Sequence, residues 1–141
     1  MAIRVRNPIR IAPIDTTDKV AVGVKLPFNT KKIFDSDYTT KDHAKSKLIN
    51  LLLTIPGERI NNPLFGVGLA QRLFEQEVSG DELRAATARQ TAMFVPEVEI
   101  VNFTIKQTEH KVDVTCNYKL KLNNEDDSVT LSFANTNTQT L

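Results

Sequence analysis

The chain has 141 residues, 40% of them hydrophobic and 25% charged, with a formal net charge of +1. That length suits about one domain with a sizeable core, and the near-neutral charge excludes a global field that would draw it to nucleic acid or an anionic membrane. A single cysteine, Cys116, excludes an internal disulfide and fits a reducing compartment.

No stretch reaches the roughly 20 apolar residues that span a bilayer. The opening Met1-Ala2-Ile3-Arg4-Val5-Arg6 lacks an apolar leader, so we expect no secretion signal. Residues 1–38 are broken by Pro8, Pro13 and Pro27, and we read them as an N-terminal arm. Within the arm, Val20, Val22, Val24 and Leu26 share one face of a short expected strand. The remainder is either an arm that needs a partner surface or a loop packed on its own domain.

Residues 39–141 form the expected domain. Thr39 or Thr40 caps its first helix, with Asp42 completing a capping-box-like arrangement. Ala44, Leu48, Leu51, Leu52 and Ile55 then follow the spacing of a core-facing stripe, and Pro56-Gly57 stops the helix. Asn62-Pro63 starts a short helical segment carrying Leu64, Phe65, Leu69, Leu73 and Phe74, in which Gly66 and Gly68 mark close backbone approach or a break. Ser79-Gly80-Asp81-Glu82 caps another helix that runs to Met93 or Phe94, with Leu83, Ala86, Met93 and Phe94 inward, and Pro96 ends it.

From Glu97 the period changes to that of strands. Val98 and Ile100 share one face while Val101, Phe103 and Ile105 share the other, which requires a bulge or two-sided burial near residue 100. Val112, Val114, Cys116, Tyr118, Leu120 and Leu122 alternate cleanly with polar residues, giving one buried and one wet face. Turns fall near 108–110 and 123–127, Val129, Leu131 and Phe133 make the last strand, and the Asn- and Thr-rich tail 134–141 is expected to fray. The fold class is α+β: an arm and helices, then an antiparallel three-stranded meander whose open edges invite strand addition.

The chemistry-bearing residues are sparse. Glu58, Glu75, Glu77, Glu97 and Glu99 are hydrolase candidates in number only, because glycosidase chemistry needs a defined carboxylate separation across a cleft. His43 and His110 with one buried thiol do not make a zinc set, and Gly66-Val67-Gly68 lacks the rest of a nucleotide fingerprint. We therefore expect no catalytic residue, metal or cofactor. The groups Arg4, Arg6, Arg10 and Lys41, Lys45, Lys47 are diluted by nearby acids, which argues against nucleic acid. Glu58 and Arg59 either fix the loop and helix ends or make charge-assisted contacts with a neighbouring chain.

Taken together, Leu53-Thr54-Ile55-Pro56-Gly57-Glu58-Arg59, Asn62-Pro63-Leu64-Phe65-Gly66 and Leu73-Phe74-Glu75 resemble the baseplate wedge or sheath-initiator family of contractile phage tails and related injection machines. The resemblance covers about residues 40–133. It implies a structural corner at Pro56, Gly57, Glu58, Arg59, Pro63, Phe65 and Gly66. It also implies a non-enzymatic virion protein, assembled in the host cytoplasm, whose partners are baseplate wedge proteins and the tail sheath protein, with tube or hub proteins as further candidates. Sheath contact would fall to the strands carrying Val112, Val114, Tyr118, Val129, Leu131 and Phe133, with main chain supplying the bonds and side chains the register.

The family's Glu-Pro-Arg wedge-contact motif is replaced here by Val95-Pro96-Glu97, for which Arg59 or Arg89 are the candidate compensating charges. Some family members have carried a lysozyme label, so the alternative reading is a tail-associated cell-wall hydrolase.

Overall fold

The computed structural model describes residues 13–16, 20–26, 31, 35–75 and 79–134, with the side chain of Glu75 left aside. The arginines at 4, 6 and 10 and the tail from 135 onward lie outside the described residues. Eight elements follow in order: β1 (Gly23–Val24), β2 (Ser36–Asp37), α1 (Thr40–Leu53), α2 (Leu69–Glu75), α3 (Gly80–Phe94), β3 (Val98–Gln107), β4 (Lys111–Leu120) and β5 (Glu125–Ala134). β1 and β2 form a small antiparallel ladder, and β3-β4-β5 form the expected antiparallel meander.

Local chemistry accounts for the helix starts. The Thr39 hydroxyl accepts the Asp42 amide at 3.1 Å and donates to the Asp42 carboxylate at 2.8 Å. Ser79 accepts the Glu82 amide in the same way at the start of α3. Each bond satisfies an amide that the first helical turn leaves without a partner.

α1 ends at Leu53, earlier than its apolar stripe suggested, with Thr54 donating its hydroxyl back to the Asn50 carbonyl. Ile55 therefore leaves the helical phase and is 44% exposed rather than buried. The helical segment expected from Asn62 does not form. Turns occupy 60–64, and α2 begins only at Leu69, after Gly66 and Gly68 have placed the backbone at positive φ. Leu64 and Phe74 are correspondingly exposed. In α3 the inward residues are Leu83, Thr87 and Thr91, while Met93 is 57% exposed and Ala86 and Phe94 are half-buried.

The core joins Leu48, Ile49, Leu51 and Leu52 of α1 to Val112, Val114, Cys116 and Tyr118 of β4 and to Leu83 of α3. Burying each such side chain stabilises the fold by about 1.5–3 kcal/mol. The sheet's bulge is real: Ile100 opposes Tyr118 and Asn102 opposes Asn117, leaving Val101 as the extra residue. The insertion lets Val98 and Ile100 point inward before it and Phe103 and Ile105 after it. β4 stops at Leu120, so Leu122 sits in the turn and is exposed, and β5 starts at Glu125, earlier than expected.

The arm's strand is far shorter than its alternation suggested. Only Gly23 and Val24 pair, with Asp37 and Ser36, and Val20 and Val24 are both 54% exposed. The described part of the arm nevertheless packs on its own domain. The Leu26 amide bonds to Ser46, and Asp15 accepts both the hydroxyl and the amide of Thr40 at the start of α1. Those two bonds hold the Asp15 carboxyl below its ordinary range.

Cys116 behaves as a small core residue, and burial pushes its thiol up to about 12. Because the folded value lies above the unfolded one, this contribution is complete below about pH 8.5 and is lost as the pH rises toward the folded value. Burial also raises the Tyr118 phenol, as does its bond to Asp127, so it acts in the same direction. Urea unfolding is expected to show stability level to about pH 8 and about 2 kcal/mol lower near pH 10.5. Cys116→Ala should be less stable at neutral pH but decline less steeply. An equally steep decline in both proteins would show that the thiol has no part in it.

Candidate functional site

The corner from Pro56 to Gly68 is closed by its own main chain. After the loop the chain returns to the end of α1, where Val67 donates its amide to the Leu51 carbonyl and Gly68 donates to Thr54, both at 2.9 Å. Those carbonyls belong to the last turn of a helix, or lie just past it, and have no helical partner of their own. A third main-chain bond, from Gly57 to Pro63, ties the loop across itself.

α3 clamps the other side. The Gln90 side chain accepts the Gly66 amide at 3.2 Å and donates to the Leu64 carbonyl at 3.0 Å. Gly66 sits at φ +120, and a Cβ there would stand 2.3 Å from the Thr54 carbonyl oxygen. The position therefore admits no side chain.

Each expected corner residue now has a place. Glu58 accepts the Ile55 amide at 3.1 Å, and Pro56 and Pro63 lie on the surface. The Arg59 guanidinium stands 4.0 Å above the buried Phe65 ring, a cation–π arrangement. Phe65 in turn meets Phe94 edge to face at 5.1 Å. Arg59 is thus tied to the end of α3 through two rings rather than through an ion pair.

At the helix-to-sheet junction Val95 is buried and Pro96 half-buried. Glu97 pairs with Lys47 of α1 at 2.8 Å. Among the described ion pairs neither Arg59 nor Arg89 meets Glu97. The residue that meets it, Lys47, stands in the sequence only as part of a lysine cluster. The whole cluster behaves alike: Lys41 pairs with Glu125 and Lys45 approaches Asp127 at 4.0 Å. Three lysines of α1 therefore meet three carboxylates around the sheet, which removes the basic patch that their spacing suggested. The Lys41 bond, with an amide from Asn123, holds the Glu125 carboxyl below its usual range.

The sheet-borne residues divide into two groups. Val112, Val114 and Tyr118 lie on β4, the central strand, and face the core with 5% exposure or less. Val129 on β5 is also buried, while Leu131 and Phe133 are half-buried. Backbone alternation shows which groups remain free. Lys121 donates its amide to Glu97 on the β3 side, so the even-numbered residues of β4 turn their main chain toward β5. Their partners on β5 are the odd-numbered residues, which leaves Asp126, Ser128, Thr130, Ser132 and Ala134 with main-chain groups facing outward.

The two edges of the sheet differ. On β3 the same alternation turns the Phe103 carbonyl outward, and Gly80 at the start of α3 stands over it, close enough for a Cβ to lie at 3.1 Å. The Val101 bulge further disrupts that edge. On β5 the run Ser128-Val129-Thr130-Leu131-Ser132-Phe133-Ala134 contains neither charge nor proline, and no strand pairs with its outer side among the described residues. Natural sheets normally blunt such edges.

Of the candidate hydrolase residues, Glu77 and the side chain of Glu75 lie outside the description, Glu97 is paired with Lys47 and Glu99 is exposed on β3. His43 lies on α1 and His110 in the β3–β4 turn. No helix among the described residues is long and apolar enough to cross a membrane.

No protein-family model matches the sequence, and no curated protein matches it either. The fold does have a solved counterpart. A crystal structure from Geobacter sulfurreducens, described as a candidate tail lysozyme, superposes with a TM-score of 0.55 at 18% identity, covering 67% of this chain and 89% of that one. At that identity the likeness is one of fold: this chain shares the α+β architecture of a tail-related protein.

The corner makes a measurable demand on residue 66. Gly66→Ala should cost about 3 kcal/mol in urea unfolding, through both strained φ and collision with the Thr54 carbonyl. Gly57→Ala, at φ +90 but with open space around it, should cost only about 1–2 kcal/mol. Equal costs would mean that contact with the end of α1 contributes nothing.

Proposed function

We propose that this chain is a structural component of a contractile tail baseplate, which joins the wedge and offers the β5 edge as the template on which the first sheath ring adds its strands. The observation that carries the reading is the unguarded run from Ser128 to Ala134 beside a guarded β3. A free edge with four outward residues, Ser128, Thr130, Ser132 and Ala134, without charge or proline supplies main-chain hydrogen bonds to an incoming strand and requires no particular side chain from it. The fold shared with a tail-related protein and the corner motif support the same assignment.

The name of that neighbour also raises a cell-wall hydrolase. A hydrolytic general acid needs a carboxyl whose proton is held more tightly than usual. The described carboxyls with a displaced proton affinity, Asp15, Asp113, Glu125 and Asp127, are all displaced downward. We favour the structural role on the strength of the β5 edge and assign no catalytic residue.

Thr130→Pro tests the edge, since it removes an outward amide while β4 keeps its pairing. Particles carrying it should complete tubes but nucleate little or no sheath, whereas Thr130→Val, which keeps the main chain intact, should assemble normally. Sheath of ordinary length on Thr130→Pro baseplates would overturn the template role. In the same preparations, purified protein incubated with peptidoglycan should release no soluble fragments above buffer. Release that disappears in Glu58→Gln would establish the hydrolase instead.

A further inference from the structure

The apolar face of β5 does not by itself fix how that strand lies along β4. Val129, Leu131 and Phe133 face inward opposite Cys116, Val114 and Val112. A slip of one residue would turn all three outward, whereas a slip of two keeps them inward. One such slip sets Val129 opposite Tyr118, Leu131 opposite Cys116 and Phe133 opposite Val114, so each still meets an aromatic or apolar side chain. The turn then spans residues 121–126, an ordinary length for a connection. The ladder is as regular as before, only displaced by about 7 Å.

Two polar residues on the inward face oppose slipping. Tyr118 is wholly buried on the central strand, and its hydroxyl donates to the Asp127 carboxylate directly across at 2.9 Å. After the slip just described Val129 would stand there, and the phenol proton would lose its acceptor inside the core. The slip in the other direction sets Asp127 opposite Cys116 and drives its carboxylate among buried side chains, where an unpaired charge is far less tolerable. It also leaves only Lys121-Leu122 as the turn, without the asparagine or glycine that a two-residue turn favours. Lys45, 4.0 Å from Asp127, and Lys41, paired with Glu125, belong to the present register as well.

Either slip keeps the same parity, so β5 would still present an edge, but about 7 Å out of place against α1 and the corner. We propose that Tyr118 and Asp127 are positioning residues, which face each other inside the sheet and hold β5 in the register that places its outward edge for an added strand. The role rests on the template reading and gives part of it to two side chains that point away from the edge.

Paired cysteines read the register in the purified full chain. Thr115 and Thr130 face each other on the outer side of the sheet with hydroxyls 3.1 Å apart. Thr115→Cys with Thr130→Cys should therefore form a bridge. From Thr115 to Ser128 or Ser132 is a diagonal of about 7–8 Å, beyond disulfide reach until the strand slips. Tyr118→Phe removes the stop in one direction only. It should raise bridging of Thr115→Cys with Ser132→Cys about tenfold, as loss of one buried hydrogen bond predicts, and leave Thr115→Cys with Ser128→Cys unchanged. Asp127→Val should raise the 115–132 bridge as well, while Asp127→Asn, which still accepts from the phenol, should keep the native register. If Tyr118→Phe does not fold, the two Asp127 variants give the same readout. Baseplates assembled under oxidising conditions from chains locked by the 115–130 bridge should start sheath, and chains locked by the 115–132 bridge should start little or none.

Bridging at 115–130 alone in both Tyr118→Phe and Asp127→Val would assign the register to the turn and the apolar face, and overturns the inference alone. An equal rise of both diagonals in Tyr118→Phe would mean general loosening and does the same. Ordinary sheath on chains locked by the 115–132 bridge overturns the positioning role. Normal sheath on Thr130→Pro particles overturns the template reading and the positioning role with it, whatever register the bridges report.

Discussion

The architecture depends on how the end of α1 is satisfied. A helix that stops inside a protein leaves carbonyls that need donors, and here the donors come from a chain that leaves, turns through Pro and Gly, and returns as Val67 and Gly68. That return fixes where α2 begins, and Gln90 then brings α3 to the same point. With α1 and α3 referenced to one corner, their inward faces close over the three-stranded sheet in one core. The glycine at 66 is the geometric condition for this closure, because any Cβ there would occupy the space of the Thr54 carbonyl.

Much of the fold was legible because its determinants are local. Capping hydroxyls at Thr39 and Ser79 mark helix starts, and strict alternation from Val112 to Leu120 marks the central strand. Even the bulge could be read, since apolar residues that change face around Val101 demand an extra residue. Misreadings arose where periodicity outlived its element. Ile55 and Met93 continue helical stripes but lie past the end of α1 or outside the buried face of α3. Thr87 and Thr91 were missed for the opposite reason, being polar residues that serve as small inward ones.

The site was less legible, because its parts are long-range. Lys47 and Glu97 are fifty residues apart, and nothing in a lysine cluster says that each member will find an acid. The difference between the two sheet edges was equally hidden. Composition shows that Ser128–Ala134 has no charge, but only the packed structure shows Gly80 covering Phe103 on the opposite side.

Gln90 carries a consequence of a different kind. Its amide is asked to accept from Gly66 and donate to Leu64 at once. A carboxylate of the same shape could only accept, and an ammonium could only donate. Glutamate at position 90 would thus turn a clamp into a negative charge facing a carbonyl oxygen. The corner therefore depends on the amide chemistry of a side chain that takes no part in the hydrophobic core.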